Sequence, residues 1–250
     1  MARFAIALLG AGLCGIGSMA AVAQQGAPFG YEGKLGPLNW GRLDPAYRTC
    51  SEGKAQSPID IRGAHRNKAL KPLEFHYVSG GMTLVNDGHT VVVTPPAGGY
   101  MVADGVRYDL QRIEFRHPGE EVVSGKLSDM SLHLVHKSAD GKMAIVAVRL
   151  NEGNANAVLS GLWAHFPKTA GATERMPDSL NPAGLLPLER AYWTYDGSLT
   201  TPPCTEGVRW FVFEQQVELS RDQLRTFAFY FKVNSRLLQA AHGRKIEASE

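Results

Sequence analysis

The residues of this chain best suited to chemistry are histidines, carboxylates and hydroxyls gathered into a few short segments. Met130-Ser131-Leu132-His133-Leu134-Val135-His136 carries two histidines three apart. In a strand, side chains alternate between faces, so Ser131, His133 and Val135 share one face and Leu132, Leu134 and His136 the other. An imidazole among apolar neighbours needs a hydrogen-bond partner or a metal; this segment alone allows a satisfied core histidine or a ligand. Ile113-Glu114-Phe115-Arg116-His117 sets Glu114 and Arg116 on one face, with Ile113, Phe115 and His117 on the other. Turned inward, such an ion pair must be well hydrogen-bonded; turned outward, it is the wet face of an exposed strand. Leu199-Thr200-Thr201-Pro202-Pro203-Cys204 offers hydroxyl and backbone donors on a stretch that two prolines make rigid. It suits an oxyanion holder or a structural loop equally. Asn86-Asp87-Gly88-His89 is a turn with a histidine at its edge, and no serine–histidine–aspartate spacing for nucleophilic hydrolysis is readable.

Strands must position these groups. Short apolar or alternating runs recur at 73–78, 82–85, 90–94, 107–116, 130–136, 143–150 and 208–217. Ser79-Gly80-Gly81, Asn86-Asp87-Gly88 and Ala139-Asp140-Gly141 punctuate them as turns. Helices are expected over 154–162 and 221–233, the second capped by Ser220 with Leu224, Phe227 and Phe231 at helical spacing. Residues 24–39 read as an irregular arm, and Pro177 to Pro187 as a loop. Neither a repeat nor a linker divides the chain.

Arg3, the uncharged run Phe4–Met19 and the small-x-small Ala21-Val22-Ala23 predict a cleavable signal peptide over 1–23 and export to the periplasm or beyond. The run to Ala23 is near membrane-span length, but a retained anchor and lipidation at Cys14 are the weaker readings. Residues 24–250 then form one domain with two cysteines, Cys50 and Cys204. A disulfide is the default in an oxidising compartment, two separate buried thiols the alternative. The closed loop of about 150 residues corresponds to about 5 kcal/mol of loop entropy at most. The net charge of +2 comes without a dense basic block, which argues against nucleic acid or an acidic membrane surface as partner.

Together these segments resemble the α-class carbonic anhydrases. Tyr31-Glu32-Gly33, Gly36-Pro37-Leu38-Asn39-Trp40, Gln56-Ser57-Pro58-Ile59-Asp60-Ile61, Gly88-His89-Thr90, His133-Leu134-Val135-His136, Ser198 to Cys204 and Glu206-Gly207-Val208 match the family's motifs in order. Asn234-Ser235-Arg236 with Gln239 and Arg244 resembles the closing NxRPxQPL pattern, with Leu237 and Ala240 replacing prolines. The resemblance implies a mainly β fold: a roughly ten-stranded, twisted, mostly antiparallel central sheet with a few short peripheral helices and a conical cleft. Members hydrate carbon dioxide reversibly, using three strand histidines to hold Zn²⁺, whose bound water has a pKa near 7.

By that resemblance His133 aligns with the third zinc histidine. Thr200 aligns with the threonine that orients the metal-bound hydroxide, Glu120 with the glutamate that accepts its proton, and His89 with the proton shuttle. Val135, Met143, Ile145, Leu199 and Trp210 resemble the apolar wall of the substrate pocket, with Thr201 beside them. The cysteine pairing of exported members is carried over to Cys50 and Cys204.

The departures concentrate at the metal. Where members read QFHFHxPSEH, this chain reads Arg112-Ile113-Glu114-Phe115-Arg116-His117-Pro118-Gly119-Glu120-Glu121. Pro118 and Glu120 fix the register, so Glu114 and Arg116 stand in the first two ligand positions. Ser131 replaces the glutamate that steadies the third histidine, an expected loss of support. A guanidinium offers donors only and keeps its proton, so Arg116 cannot ligate zinc. Arg116 is expected to replace the metal's charge instead, salt-bridging Glu114 and Glu120. A one-residue bulge turning His117 inward, to give His117, His133 and Glu114 as ligands, is the competing geometry. The expectation is therefore a carbonic anhydrase-related binding or structural domain without cofactor. The alternative is an active enzyme with Zn²⁺ in an altered site. A protein or small-anion partner is compatible with this sequence, and oligomeric state is not legible in it.

Overall fold

The structure, a computed structural model, describes residues 27–250; the leader expected over 1–23, with Cys14, lies outside the described residues. A thirteen-stranded mixed sheet dominates. Its path runs from Thr173–Leu180 through Gly80–Asn86, Val91–Thr94, Val106–Arg116, Met130–Ser138, Met143–Glu152, Glu206–Phe213, Tyr192–Ser198 and Glu247–Ala248 to His65–Arg66. Most neighbours are antiparallel; Met143–Glu152 runs parallel to Glu206–Phe213, and Glu247–Ala248 parallel to His65–Arg66. A three-stranded sheet of Asp60–Ile61, Val122–Val123 and Lys126–Leu127 lies apart. Among the described residues no helix is long and apolar enough to cross a membrane.

The central strands are apolar on both faces, so one sheet serves two cores. Leu132, Leu134, Val146, Val148, Phe211 and Phe213 belong to the larger cluster. Val135, Ile145, Ala147, Trp210 and Val212 belong to the second, on the cleft face. Period-two alternation along Met130–Ser138 thus sends its odd and even positions to different cores, as the sequence predicts.

Several elements depart from expectation. Tyr192–Ser198 is a full strand where none is expected, and the run expected at 208–217 divides into strands Glu206–Phe213 and Val217–Leu219. The expected 177–187 loop begins inside the strand Thr173–Leu180 and continues as a 3-10 turn over Pro182–Leu185. Pro177 is tolerated there because the ladder slips between Met176 and Leu180, where no amide donor is required. The helices are Ala157–Ala164, capped by Asn156, and Arg221–Tyr230, whose Ser220 and Gln223 form a reciprocal capping box. The second stops at Tyr230, short of Val233, because Lys232 and Asn234 turn back to bond His117.

Candidate functional site

Two walls meet where the third zinc histidine is expected. The first is the Ser198–Cys204 loop. Cys50 and Cys204 are joined by a disulfide, and the side chains around it are densely hydrogen-bonded. Gln56 Nε2 donates to the Cys204 carbonyl at 3.1 Å and to Glu206 at 2.9 Å. Arg236 donates to Gln56 Oε1, to the Ser57 carbonyl and to the Cys50 carbonyl, each at 2.8 Å. Ser57 and Ser198 exchange backbone-to-hydroxyl bonds at 2.9 and 3.1 Å, and Trp210 Nε1 donates to the Ser198 carbonyl at 3.0 Å. This lattice holds Thr200 buried and Thr201 half-buried at the cleft. Val135, Ile145 and Trp210 pack together, with Met143 and Leu199 against them. The expected apolar wall residues are brought into one cluster.

The second wall is the pair Val106–Arg116 and Met130–Ser138. Their register is continuous from Ser131 opposite Arg116, through His133 opposite Glu114, to Val135 opposite Arg112. The bulge in this ladder falls between Val135 and His136, too late to rotate His117. The His117 ring faces away, its Nδ1 2.7 Å from the Lys232 carbonyl, while Phe115 stays buried against Trp163 and Phe227. The ligand set His117, His133 and Glu114 is therefore not assembled.

Glu114 and Arg116 face inward. Arg116 is 2% exposed, its Nη2 is 2.6 Å from Glu114 Oε2, and its Nε stands 3.6 Å from Glu120 Oε1. Arg112 takes the other Glu114 oxygen. Burial alone would raise the Glu114 pKa, but Arg116 and Arg112 reverse this and hold it at about 2. Burial likewise acts to lower the Arg116 pKa, and Glu114 overrides it upward. The charge substitution expected at this place is thus present as a buried ion pair.

The loss expected at Ser131 is made good by Glu121, to which the sequence assigned no role. His133 Nε2 lies 2.6 Å from Glu121 Oε1, and both side chains are 2% exposed. Glu121 occupies the last position of the family's QFHFHxPSEH pattern, where members carry histidine. The substitution was visible in the sequence, but its reach to His133 required the fold. Burial acts to raise the Glu121 pKa, and His133 with its hydrogen bond reverses the sign and lowers it. Glu120 shifts the other way: burial raises it more than Arg116 lowers it. Its Oε1 accepts the Arg236 backbone N–H at 2.7 Å and its Oε2 has no hydrogen-bond partner. No hydrogen bond joins it to Thr200 among the described residues.

Glu120, Glu121 and His133 are the group whose donor atoms could converge on an ion, all lying within 4.8 Å of one another. They do not fit the zinc that the family holds. Tetrahedral ligands at about 2.0–2.2 Å from a metal stand about 3.4 Å apart, whereas His133 and Glu121 sit at the 2.6 Å of a charge-assisted hydrogen bond. The Arg116 guanidinium already brings fixed positive charge against Glu120. Water whose pKa no metal lowers is not a hydroxide source at neutral pH, so this donor set supports no step through zinc.

Two further histidines of the motif segments, His136 and His89, differ in kind. His136 is a core residue, its Nε2 2.8 Å from the Tyr77 hydroxyl, with burial lowering its pKa to about 3. His89 stands at the cleft, stacked on Phe29 with ring centres 4.0 Å apart and planes at 9°. Burial lowers its pKa, Asp87 opposing and Arg116 adding to the effect.

Residues 35–250 match the family described as eukaryotic-type carbonic anhydrase. A carbonic anhydrase of Klebsiella pneumoniae is 38% identical over 232 residues, covering 92% of this chain and 94% of that one. Dioscorin DB3L of Dioscorea polystachya is 34% identical, over 76% of this chain and 72% of its own. The solved structure of the α-carbonic anhydrase of Thermovibrio ammonificans, in complex with the inhibitor sulfanilamide, superposes with a TM-score of 0.87. It is 40% identical and covers 90% of this chain and all of that one. This chain belongs to the α-carbonic anhydrase family and carries an altered metal-ligand set.

Proposed function

We propose that this protein is an exported, non-catalytic member of its family, acting as a binding domain in the periplasm or outside the cell. The observation that carries the reading is the buried Arg116–Glu114 pair in two of the three ligand positions. The two charges satisfy each other without a metal, and removing either one would leave its buried partner with a weaker set of counter-charges, Arg112 alone for Glu114 and Glu120 alone for Arg116. Export is supported by the leader pattern and by the family's cysteine pairing at Cys50 and Cys204. In this reading Thr200, Glu120 and His89 keep their family positions without the family's reaction.

Metal content of the purified mature protein, measured beside carbon dioxide hydration, tests the proposal. The expected result is substoichiometric zinc and hydration at background. Stoichiometric zinc with sulfonamide-sensitive hydration would favour an active enzyme with an altered site instead. The double change Glu114→His with Arg116→His is expected to gain zinc, because Glu121 already orients His133.

A further inference from the structure

The closing segment around Asn234-Ser235-Arg236 faces two ways. Its inward side chains are spent on the fold: Asn234 Nδ2 donates to the His89 and Phe115 carbonyls, and Arg236 to Gln56, Ser57 and Cys50. Between and beside them Val233, Leu237 and Leu238 point outward and are exposed, while Asn234 and Arg236 are buried. The backbone is therefore fixed, and these apolar side chains are held on it rather than left on a loose loop. Leu237 stands where the family pattern has proline, so this outward face is one on which the chain departs from its relatives.

Val233, Ser235 and Leu237 form a ridge, because they line two grooves at once. On one side they face Pro37 and Leu38 across a groove of about 180 Å³. On the other, with Leu238, they face Val122 and Leu127 across a groove of about 470 Å³. Leu38, Leu127, Val233, Leu237 and Leu238 are between 44% and 81% exposed, and they are half of the large hydrophobic side chains that stand exposed among the described residues. Single exposed leucines need no explanation, but a contiguous apolar patch marks an interaction surface. Its charges are balanced. No charged residue lines the smaller groove, and the larger is lined by two acids and two arginines, Asp60, Glu120, Arg62 and Arg236. Asp60 and Arg62 are paired with each other. A patch without surplus of either sign suits neither nucleic acid nor anionic lipid.

We propose that this patch is covered by a second copy of the same chain, the two joined about a two-fold axis with the Val233–Leu237 ridge of each seated in the larger groove of the other. A two-fold interface uses one surface twice, so it needs a patch that carries both a protrusion and the recess to receive it. The area fits as well. The five side chains expose on the order of 400 Å² of apolar surface, close to the 500 Å² or so that each partner gives to a standard homodimer interface, which is about 65% apolar over about 800 Å² a side. The proposal depends on neither reading of the metal site.

The test is sedimentation equilibrium of the purified mature protein over a wide range of concentration, with amide NMR shifts followed on dilution. A mass twice that of the monomer is expected, falling to the monomer mass as the protein is diluted. Leu237→Ser with Leu238→Ser removes apolar surface that packs on nothing in the single chain, so the variant folds normally and weakens self-association about tenfold or more. Leu188→Ser, at a side chain 93% exposed and in neither groove, leaves it unchanged. The dilution shifts of the unaltered protein should centre on 233–238, Leu38 and Leu127, which reads the interface without any variant. A monomer at every concentration overturns the proposal. A dimer that the double serine change does not weaken, or dilution shifts centred elsewhere, overturns it too. A monomer that binds phosphatidylglycerol vesicles through the same leucines overturns it in favour of a lipid surface.

Discussion

The two walls of the cleft are built on opposite principles. Under the Ser198–Cys204 loop, Gln56, Ser57, Arg236 and the disulfide bind one another mostly through neutral carbonyls and hydroxyls. On the facing strands and the connection after Arg116, Glu114, Arg116, Glu120, Glu121 and His133 form a buried charge network in which Arg116 Nε, Glu120 Oε2 and Glu121 Oε2 have no hydrogen-bond partner. The first wall keeps the family's loop in shape. The second has kept its shape while exchanging its chemistry, with Arg116 where a histidine is expected and Glu121 standing in for the support lost at Ser131. A fold can therefore lose its metal set without losing its cleft, provided each removed charge or donor is matched locally.

The sharpest way to break this contrast is at Arg116. Arg116→Met leaves the buried Glu120 without its nearest guanidinium and Glu114 with Arg112 alone, and is expected to cost about 3–5 kcal/mol in urea unfolding. Adding Glu114→Gln should recover much of that, and a simple sum of the two losses would show that the pair is not coupled. The opposing wall is tested by Cys50→Ala with Cys204→Ala, expected to cost about 2–5 kcal/mol. Amide shifts should then move around Thr200 and stay fixed around Glu114; movement on both sides would show that the walls are not independent.

Acid probes the charged wall and the core behind it more gently. Glu114 is held at about 2 in the folded state against 4.5 when free. Its contribution is complete above pH 4.5 and is lost as the pH falls towards 2. His136, held at about 3 against 6.5, begins earlier, because the unfolded chain takes up its proton from pH 6.5 downward while the folded chain does not. Stability is expected to fall by about 1 kcal/mol per pH unit below pH 6 from this residue. His136→Gln should flatten the curve between pH 6.5 and 4.5 and leave the steeper fall below it. Last in size, Glu121→Gln should cost about 1–3 kcal/mol and alter the hydrogen bonding of the His133 ring as read by imidazole ¹⁵N shifts; an unchanged His133 would remove Glu121 as its support.

The fold was legible where local chemistry and pattern agree. The Ser220 cap, the alternation around His133 and the turn at Asn86-Asp87-Gly88 each announce their element over a few residues. The inward aim of Glu114 and Arg116 followed once the family register was set by Pro118 and Glu120. What escaped was non-local. Tyr192–Ser198 mixes Gly197 and Asp196 with aromatics, and its identity as a strand comes from its partners at 206–213 and 247–248. Glu121 touches His133 across twelve residues of chain, and Phe29 meets His89 across sixty. Neither contact has a sequence signature, since each depends on where a separate strand or arm is delivered.

The sheet order also sets a schedule. Met143–Glu152 finds one antiparallel neighbour immediately before it in the chain, but its parallel neighbour lies at 206–213. The last rung, Glu247–Ala248, closes between strands from 65–66 and 192–198. Until those late residues are available, strand edges stay open to other chains. Non-local pairing of this kind makes assembly slow and aggregation-prone relative to helical proteins of similar size. Yield on refolding should therefore be limited by protein concentration well before it is limited by equilibrium stability.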